Sequence, residues 1–287
     1  SLLGDNCDLP ILATMTDRYA VIGHPINHSK SPQIHAAFAQ ATAQDLSYTA
    51  IDSPLDAFAD TVAAFRSAGG RGVNVTLPFK LEACALATDP SEAARLAGAA
   101  NALKFDDDRV WAENFDGVGL VNDIQVNLGH ALRGRRVLVL GAGGATRGAL
   151  LPLAGQGPAV LAVANRSADK AHALRTDFAA HAVLQTGGYA DLAGESFDVV
   201  INATSAGLSG ETLPLPAGLF ASGALAYDMV YGKGLTPFLR QAQQAGVTAL
   251  ADGVGMLVEQ AAEAFVWWRG VRPATAEVIR RLSVPLV

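Results

Sequence analysis

The chain has 287 residues, half of them hydrophobic and 17% charged, so it can bury a substantial core and is not a largely disordered protein. Its 21 lysines and arginines against 27 aspartates and glutamates give a formal net charge of −6, which argues against a general nucleic-acid binder. No stretch of the sequence reaches the roughly 18 consecutive apolar residues of a membrane span.

The cysteines and histidines indicate neither a disulfide framework nor a metal site. Cys7 and Cys84 lie far apart without metal-ligand spacing, which favours a reduced cytoplasmic compartment. The six histidines include no pair with the spacing of a zinc-binding helix, so we expect no metal. Residues 1–16 contain two acids and no basic residue, so we expect a loose leader rather than a signal peptide.

The first half of the chain alternates short apolar runs with helical patterns. Strands are expected at residues 19–23, 46–51 and 72–76, and helices at 31–43, 54–68 and 81–86. Ser31 and Pro32 predict a helix start, with the serine as cap and the proline at the first helical position. Residues 99–105 and 110–113 flank three aspartates with turn chemistry and predict an antiparallel pair. This order favours a mostly parallel sheet with helices around it.

A second alternating series follows in the other half of the chain. A joint that could act as a hinge is expected near Gly117 and Gly119, followed by a connecting helix at 120–128. Further strands are expected at 137–141, 159–164, 183–185, 199–203 and 224–228, and helices at 237–245, 256–268 and 275–282. The predicted fold class is therefore α/β with two lobes.

A glycine-rich turn follows the first strand of this second series. It consists of Gly141, Ala142, Gly143, Gly144 and Ala145. The first glycine permits a tight turn, and the second lets backbone N–H groups approach a pyrophosphate at the start of the next helix. Residue 146 is a threonine where a third glycine is usual. The flanking strand and helix favour a Rossmann dinucleotide-binding domain at 118–255 over a plain strand-to-helix turn.

The end of the next predicted strand favours NADP(H) as the cofactor. An NAD site usually ends this strand with an acid that accepts the ribose hydroxyl groups. Here the strand ends in Asn165, Arg166 and Ser167, and Lys170 follows. A guanidinium and a hydroxyl suit a 2′-phosphate, because arginine offers a planar fork of donors. The alternative is that Arg166 is only a solvent-exposed loop residue. Its position argues against this, because in a Rossmann fold this loop faces the adenosine ribose.

Polar residues in the first half follow the strands, where α/β sheets place ligand sites. They are Ser29, Ser31, Asn74, Thr76, Lys80, Asn101, Asn114 and Asp116. Their hydroxyl, amide, amine and carboxylate groups suit a small polyhydroxylated acid. Each also has a plain structural interpretation: Ser31 as a helix cap, the two later asparagines as turn residues and Lys80 as a solvated lysine.

Eight stretches of this sequence resemble the shikimate dehydrogenases of bacterial aromatic biosynthesis. They are IGHPINHSKSP at 22–32, NVTLPFK at 74–80, DGVG at 116–119, GAGGA at 141–145, NRS at 165–167, INATS at 201–205, YDMVY at 227–231 and ADGVGML at 251–257. The resemblance runs from Tyr19 to about Leu282 and implies NADPH-dependent reduction of 3-dehydroshikimate to shikimate. It also implies a substrate-binding lobe at 17–117, completed by the C-terminal helices at 256–287.

The resemblance further implies roles for single residues. Lys80 and Asp116 match the catalytic pair. Substrate positions are matched by Ser29 and Ser31 for the carboxylate, by Asn74, Thr76, Asn101 and Gln260 for ring hydroxyls, and by Tyr231. Cofactor positions are matched by the turn at 141–145, Asn165, Arg166, Thr204, Met229 and Gly253.

The chemistry of hydride transfer supports the catalytic pair independently of the resemblance. Transfer to a ketone builds negative charge on the carbonyl oxygen, which a nearby ammonium can stabilise and protonate. In the oxidation direction the same lysine, if neutral, takes the hydroxyl proton. A neighbouring carboxylate orients the ammonium group and the substrate hydroxyl.

Two departures from the family pattern concern the substrate. The family usually has threonine after the asparagines at 101 and 114, where this chain has Ala102 and Phe115, and we expect Phe115 to alter the pocket. A relative acting on quinate or another cyclic hydroxy acid therefore stays open. A non-catalytic NADP-binding sensor is opposed by retention of Lys80 and Asp116, and a folate-type dehydrogenase fits the hydroxyl-rich set poorly. We expect a small-molecule substrate, no nucleic-acid or membrane partner, and a monomer or homodimer.

Overall fold

The computed structural model describes residues 15–287, so the expected leader lies outside the described residues except for its last two. The chain forms two α/β lobes, each built on a six-stranded sheet, which confirms the predicted fold class. Within the described part, no helix combines the length and hydropathy that crossing a membrane requires.

The first lobe contains a mixed sheet. Its elements are β1 (Asp17–Gly23), α1 (Ser31–Ala41), β2 (Leu46–Asp52), α2 (Phe58–Ser67), β3 (Gly70–Val75), α3 (Lys80–Leu86), β4 (Asp89–Pro90), α4 (Glu92–Ala97), β5 (Ala102–Asp106) and β6 (Arg109–Glu113). The strand order is β2-β1-β3-β5-β6-β4. β1 is parallel to β2 and β3, whereas β5 is antiparallel to β3 and β6. The carboxyl ends of β1 and β3 therefore meet at one edge of the sheet, where the predicted polar segments follow.

The second lobe contains a fully parallel sheet. Its elements are α5 (Asp116–Asn122), a π-helical turn (Asp123–Asn127), β7 (Arg136–Leu140), α6 (Gly144–Gly155), β8 (Val160–Ala164), α7 (Ala168–Asp177), β9 (Gln185–Gly187), β10 (Phe197–Asn202), β11 (Phe220–Asp228), α8 (Pro237–Gln244) and β12 (Ala249–Ala251). The strand order is β12-β11-β10-β7-β8-β9, the doubly wound Rossmann order. The order reverses between β7 and β10, so a crevice lies at their carboxyl ends.

Two C-terminal helices, α9 (Val254–Arg269) and α10 (Ala276–Leu282), return to the first lobe. α9 begins directly after β12 of the second lobe. Further along α9, Phe265 packs edge-on against Phe38 of α1, with ring centroids 5.6 Å apart. Ile34, Val258 and Val278 join the same buried cluster. The C-terminal helices thus pack on the first lobe.

The joint predicted at Gly117 and Gly119 lies inside a helix. Both glycines lie inside α5, which runs on into the π-helical turn. A Cβ atom on Gly117 would overlap the carbonyl oxygen of Gly148 on α6. A Cβ atom on Gly119 would lie 2.8 Å from the backbone nitrogen of Gln260 on α9. The missing side chains therefore let α5 pack closely between two helices.

The prediction also missed three short elements, β4, α4 and β12. β4 and β12 have two and three residues, too few for an alternating pattern to be recognised. α4 carried a readable signal, because the hydroxyl of Ser91 caps it by accepting the N–H of Ala94 at 3.1 Å. The strand expected at 183–185 forms two residues later, where pairing with β8 begins at Gln185.

Replacing Gly117 with alanine is expected to lower the free energy of unfolding by about 1–3 kcal/mol, because the added methyl group forces α5 away from α6. Thermal or urea unfolding followed by circular dichroism measures the change. Gly155→Ala is the matched control, since it also lies in a helix and its added Cβ would have no described atom within 4 Å. Equal stability of the Gly117 variant and the wild type would contradict the close contact.

Candidate active site

A cavity of about 520 Å³ lies between the first lobe and the start of α9. It is found at the carboxyl ends of β1 and β3, next to the beginning of α1. All nine residues predicted for catalysis and substrate binding line it, namely Ser29, Ser31, Asn74, Thr76, Lys80, Asn101, Asp116, Tyr231 and Gln260. The fold thus gathers residues from widely separated parts of the chain around one space.

Lys80 and Asp116 form an ion pair in the wall of this cavity. They are the first residues of α3 and α5, so two separate helix starts present them to each other. The Nζ atom of Lys80 donates to Oδ2 of Asp116 at 2.8 Å. The side chains are 28% and 20% exposed, which shields the pair from bulk water and leaves it open to a small ligand. An ammonium group and a carboxylate are therefore within reach of one bound molecule.

Two buried asparagines hold Asp116 in place. The Nδ2 group of Asn101 donates to Oδ1 of Asp116 at 2.9 Å and to Oε1 of Gln260 at 3.0 Å. Its Oδ1 atom accepts the backbone N–H of Phe115 at 2.9 Å. Asn114 accepts the backbone N–H of Asp116 at 3.1 Å, so Asn114 is a turn residue. Asn101 holds the same segment and also faces the cavity.

The two serines lie at the beginning of α1. The helix starts at Ser31, with Lys30 in the cap position, so the predicted cap is off by one residue. The Ser31 hydroxyl makes no capping hydrogen bond, and its backbone N–H donates to Oγ of Ser29 at 3.3 Å. Both serines therefore stand beside the positive end of the α1 dipole, a suitable place for an anionic group.

Asn74 and Thr76 come from the end of β3. Asn74 is buried, and its Nδ2 group donates to the carbonyl oxygen of Asn101 at 3.2 Å. Its Oδ1 atom accepts the hydroxyl of Tyr48 on β2 at 2.7 Å. The backbone N–H of Thr76 donates to the carbonyl oxygen of Ile22 at 3.0 Å, which continues the pairing with β1 past the end of β3.

The second lobe and α9 form the opposite wall. Tyr231 lies at the mouth, where burial raises the pKa of its phenol and the charge of Lys80 opposes that rise. Gln260 reaches in from α9 and donates from Nε2 to the carbonyl oxygen of Leu257 at 2.8 Å. Met229 and Gly253, which were predicted for the cofactor, line this cavity at the ends of β11 and β12. The strand ends of the dinucleotide-binding domain thus border the cavity of the other lobe.

Several lining residues escaped the prediction. Three of them are His24, His28 and Lys30. Their place in the same segment as the two serines is the sequence signal that could have identified them. The Nδ1 atom of His24 lies 2.7 Å from Oδ1 of Asp52. Met256 is apolar and lines the cavity from α9, where the sequence offered no chemical signal.

A second cavity, of about 690 Å³, follows the strand ends of the parallel sheet. Six predicted cofactor residues line it: Gly141, Ala142, Gly143, Asn165, Arg166 and Thr204. Gly144 and Ala145 form the first turn of α6, and Ser167 and Lys170 lie at the exposed start of α7, outside the lining. The lining also includes Ser205, the last residue of the INATS stretch, and residues that the sequence analysis did not single out, among them Tyr189, Ser209 and Glu211.

The glycine-rich turn has the geometry that close approach to a phosphate requires. Gly141 has a φ of 106°, a region that favours glycine, and its N–H donates to the carbonyl oxygen of Ala164 at 2.8 Å. The first N–H groups of α6 have no partner within the helix and suit an anion. Thr146 is fully buried and donates from Oγ1 to the carbonyl oxygen of Gly141 at 2.8 Å. Thr146, which stands where a third glycine is usual, therefore stabilises the turn through this hydrogen bond.

Three family models match the chain. The model described as the shikimate dehydrogenase substrate binding domain matches residues 21–103. The model described as shikimate / quinate 5-dehydrogenase matches residues 124–209. The model described as the shikimate 5'-dehydrogenase C-terminal domain matches residues 253–282.

Curated relatives and solved structures are similar over nearly the whole chain. Shikimate dehydrogenase (NADP(+)) of Dechloromonas aromatica is 59% identical, over 95% of this chain and all of the relative. The corresponding protein of Nitrosospira multiformis is 57% identical, over 95% of this chain and 99% of the relative. The crystal structure of an Ael1 enzyme from Pseudomonas putida has a TM-score of 0.90 at 60% identity, covering 94% of this chain and all of that one. Shikimate 5-dehydrogenase of Thermus thermophilus, in complex with NADP(H) and shikimate, has a TM-score of 0.81 at 35% identity, covering 93% and 99%.

Proposed function

The chain belongs to the shikimate dehydrogenase family, and we propose that it reversibly reduces 3-dehydroshikimate to shikimate with NADPH in aromatic biosynthesis. The Lys80–Asp116 ion pair carries this proposal. It lies in the wall of a cavity that residues of both lobes line, where a substrate held by one lobe would meet a cofactor held by the other. A binding protein without catalysis would have no use for such a pair.

In this proposal Lys80 is the acid of the reduction. Its ammonium group stabilises the negative charge that develops on the carbonyl oxygen and then gives that oxygen its proton. Asp116, held by Asn101, keeps the ammonium group in position. In the reverse direction neutral Lys80 takes the proton of the substrate hydroxyl.

The remaining cavity residues are proposed to hold the substrate. Ser29 and Ser31 offer hydroxyl groups to its carboxylate at the start of α1. The ring hydroxyl groups would be bound by the four polar residues Asn74, Thr76, Asn101 and Gln260, with Tyr231 closing the mouth. An amide or hydroxyl at each point gives directional hydrogen bonds, and these reject molecules that lack the matching groups.

The residues of the second cavity fit NADP(H). The turn at Gly141 and the start of α6 suit a pyrophosphate, and Arg166 with Asn165 suits a 2′-phosphate. The charge of Arg166 is felt by the neighbouring Tyr189, where it opposes the rise in pKa that burial causes. When bound, the cofactor supplies the hydride. Ser167 and Lys170 are proposed as further contacts at the exposed start of α7.

The position of the Phe115 ring favours shikimate as the substrate over quinate or another cyclic hydroxy acid. The ring of Phe115 packs edge-on against Trp267, with centroids 5.6 Å apart, and the lining of the described cavity does not include it. The other departure, Ala102, is fully buried in β5. Neither side chain lines the described cavity, so the family's substrate is retained in the proposal.

The proposal also keeps two functional units. The substrate-binding unit comprises residues 17–117 with 256–287, and the NADP-binding unit comprises residues 118–255. We propose that the enzyme works in the cytoplasm as a monomer or a homodimer. Light scattering during size-exclusion chromatography distinguishes the two states.

Replacing Lys80 with methionine is expected to lower kcat for shikimate oxidation by roughly 100-fold to 10,000-fold, because the proton acceptor is lost. Absorbance at the nicotinamide band measures the rate, and fluorescence titration with NADPH should show unchanged cofactor binding. Lys104→Met is the control, since Lys104 lies over the Trp267 ring away from the cavity. Near-normal turnover of the Lys80 variant would remove this residue from the mechanism.

Replacing Arg166 with alanine is expected to raise KM for NADP by about 10-fold to 100-fold, because a charge-assisted bond to the 2′-phosphate is lost. KM for NAD should change little, since NAD has no such phosphate. Arg175→Ala, which removes an exposed arginine from α7, is the matched control. Equal increases in KM for NADP and for NAD would contradict the assignment of Arg166 to the 2′-phosphate.

Replacing Phe115 with threonine is expected to leave KM for shikimate within about threefold of the wild type, since the side chain lies outside the cavity. The lost contact with Trp267 should lower the melting temperature. Rates with shikimate and quinate, each with NADP and NAD, measure substrate preference. A new preference for quinate in this variant would show that Phe115 selects the substrate.

A further inference from the structure

We propose that Asp123 is a positioning residue for hydride transfer, whose buried carboxylate holds the end of β11 and the start of α9 in the wall opposite the first lobe. This inference rests on the proposed function, because it takes that wall to lie beside the reacting part of the cofactor. Asp123 is 3% exposed and lines neither cavity, so it would act through the elements that it contacts.

Three elements meet at the Asp123 carboxylate. Asp123 begins the π-helical turn that continues α5, so it lies about two helical turns after Asp116. The hydroxyl of Tyr227, on β11, donates to its Oδ2 atom at 2.6 Å. The carboxylate also lies directly against Gly255 of α9, where an added Cβ atom would overlap it. One side chain therefore fixes β11 and α9 relative to the helix that begins at Asp116.

The Tyr227 hydroxyl extends this contact into the first turn of α9. Burial raises the pKa of the phenol well above its usual value, and the charge and hydrogen bond of Asp123 add to the rise. A hydrogen bond from the backbone of Met256 opposes it. The hydroxyl thus keeps its proton at physiological pH, donates to Asp123 and accepts from α9. Its position depends on both partners.

The end of β11 and the start of α9 form one packed unit. Met229 directly follows β11, and its carbonyl oxygen lies where a Cβ atom on Gly253 would be. The backbone N–H of Gly253 donates to the carbonyl oxygen of Val230 at 3.1 Å. Met229, Gly253 and Met256 all line the first cavity. A shift of Tyr227 or of the first turn of α9 would therefore move this wall relative to the substrate.

Neutral groups hold the carboxylate on its other side. The Nδ2 group of Asn127 donates to Oδ1 of Asp123 at 2.9 Å and to Oε1 of Glu259 at 3.0 Å. Glu259 is buried in α9 and accepts the hydroxyl of Thr275 at 2.6 Å. No ion pair among residues 15–287 includes either of these two carboxylates. The network therefore orients Asp123 by hydrogen bonds without a neutralising cation.

A carboxylate in this position is costly for folding. Burial raises the pKa of Asp123, and hydrogen bonds from Tyr227 and Asn127 oppose that rise. The nearby charges of Glu259 and Asp252 add to it. Because a buried charge without a cation costs free energy of folding, stabilisation of the fold does not account for this residue. Its contribution is the geometry that two acceptor oxygens impose on their donors.

Replacing Asp123 with asparagine tests the positioning role. The change keeps the size of the side chain but leaves one acceptor oxygen for two donors, the Tyr227 hydroxyl and the Asn127 amide. The rate of hydride transfer from NADPH to 3-dehydroshikimate should fall about tenfold, because the wall shifts relative to the substrate. KM for both reactants should stay within about twofold, since Ser29 and Arg166 lie on other elements.

Single-turnover stopped-flow absorbance at the nicotinamide band measures this step directly. A slower phase with NADPH that carries deuterium at the transferred position identifies the phase as hydride transfer. A merely structural role would lower the melting temperature of the variant and leave the single-turnover rate of the folded protein at the wild-type value.

Tyr227→Phe is a second variant, which tests the same contact if the Asp123 variant does not fold. It keeps the buried ring and removes the donor to Asp123, and it should slow hydride transfer about threefold. Asp198→Asn is the matched control. Asp198 accepts the backbone N–H of Arg136 at 2.9 Å on β10 and lines neither cavity, so its single-turnover rate should equal that of the wild type.

Three outcomes would overturn the positioning role. They are a wild-type rate of hydride transfer in Tyr227→Phe and in folded Asp123→Asn, an equal loss of rate in the Asp198 variant, and a rise in both KM values at an unchanged single-turnover rate. A wild-type protein that neither binds nor reduces 3-dehydroshikimate would instead overturn the proposed function and this inference with it. Wild-type turnover with any of the three outcomes overturns the inference alone.

Discussion

The position of the Asp116 carboxylate depends on how closely α5 packs against α6 and α9. Asp116 is the first residue of α5, and the next residues inward include Gly117 and Gly119. Their missing side chains let backbone meet backbone at both neighbouring helices. Because α6 begins at the glycine-rich turn and α9 carries Gln260, this packing fixes the carboxylate relative to Gln260 in the first cavity and to the glycine-rich turn of the second. A larger residue at either glycine would displace Asp116 relative to the neighbouring helices.

Neutral amides orient the Lys80–Asp116 pair. A second cation near Asp116 would compete with Lys80 for the carboxylate, whereas an amide donor fills one oxygen and leaves the other to the lysine. The same Asn101 amide reaches Gln260 on α9, so one side chain ties β5 of the first lobe to the helix that bridges the lobes. Residue 101 therefore couples the carboxylate to the position of α9.

Much of the fold could be predicted because parallel strands bring their carboxyl ends together. The strands before His24 and Thr76 were recognisable as apolar runs, and the polar residues after them had to meet at one edge. The two glycines of α5 could not be assigned, because glycine permits both a flexible joint and a close helix contact. Only the neighbours of each missing Cβ atom show the close contact, and those neighbours come from distant parts of the chain.

The sequence motifs do not determine the direction in which the side chains of the candidate site point. Phe115 is next to Asp116 in sequence, yet its ring turns towards Trp267, because it lies at the helix start where consecutive side chains point in different directions. Tyr48 is 26 positions from Asn74, yet it meets that amide directly across one strand. Sequence distance is thus a poor guide to which residues shape the cavity. Strand register is a better guide, since it fixes both the face and the level at which each side chain lies.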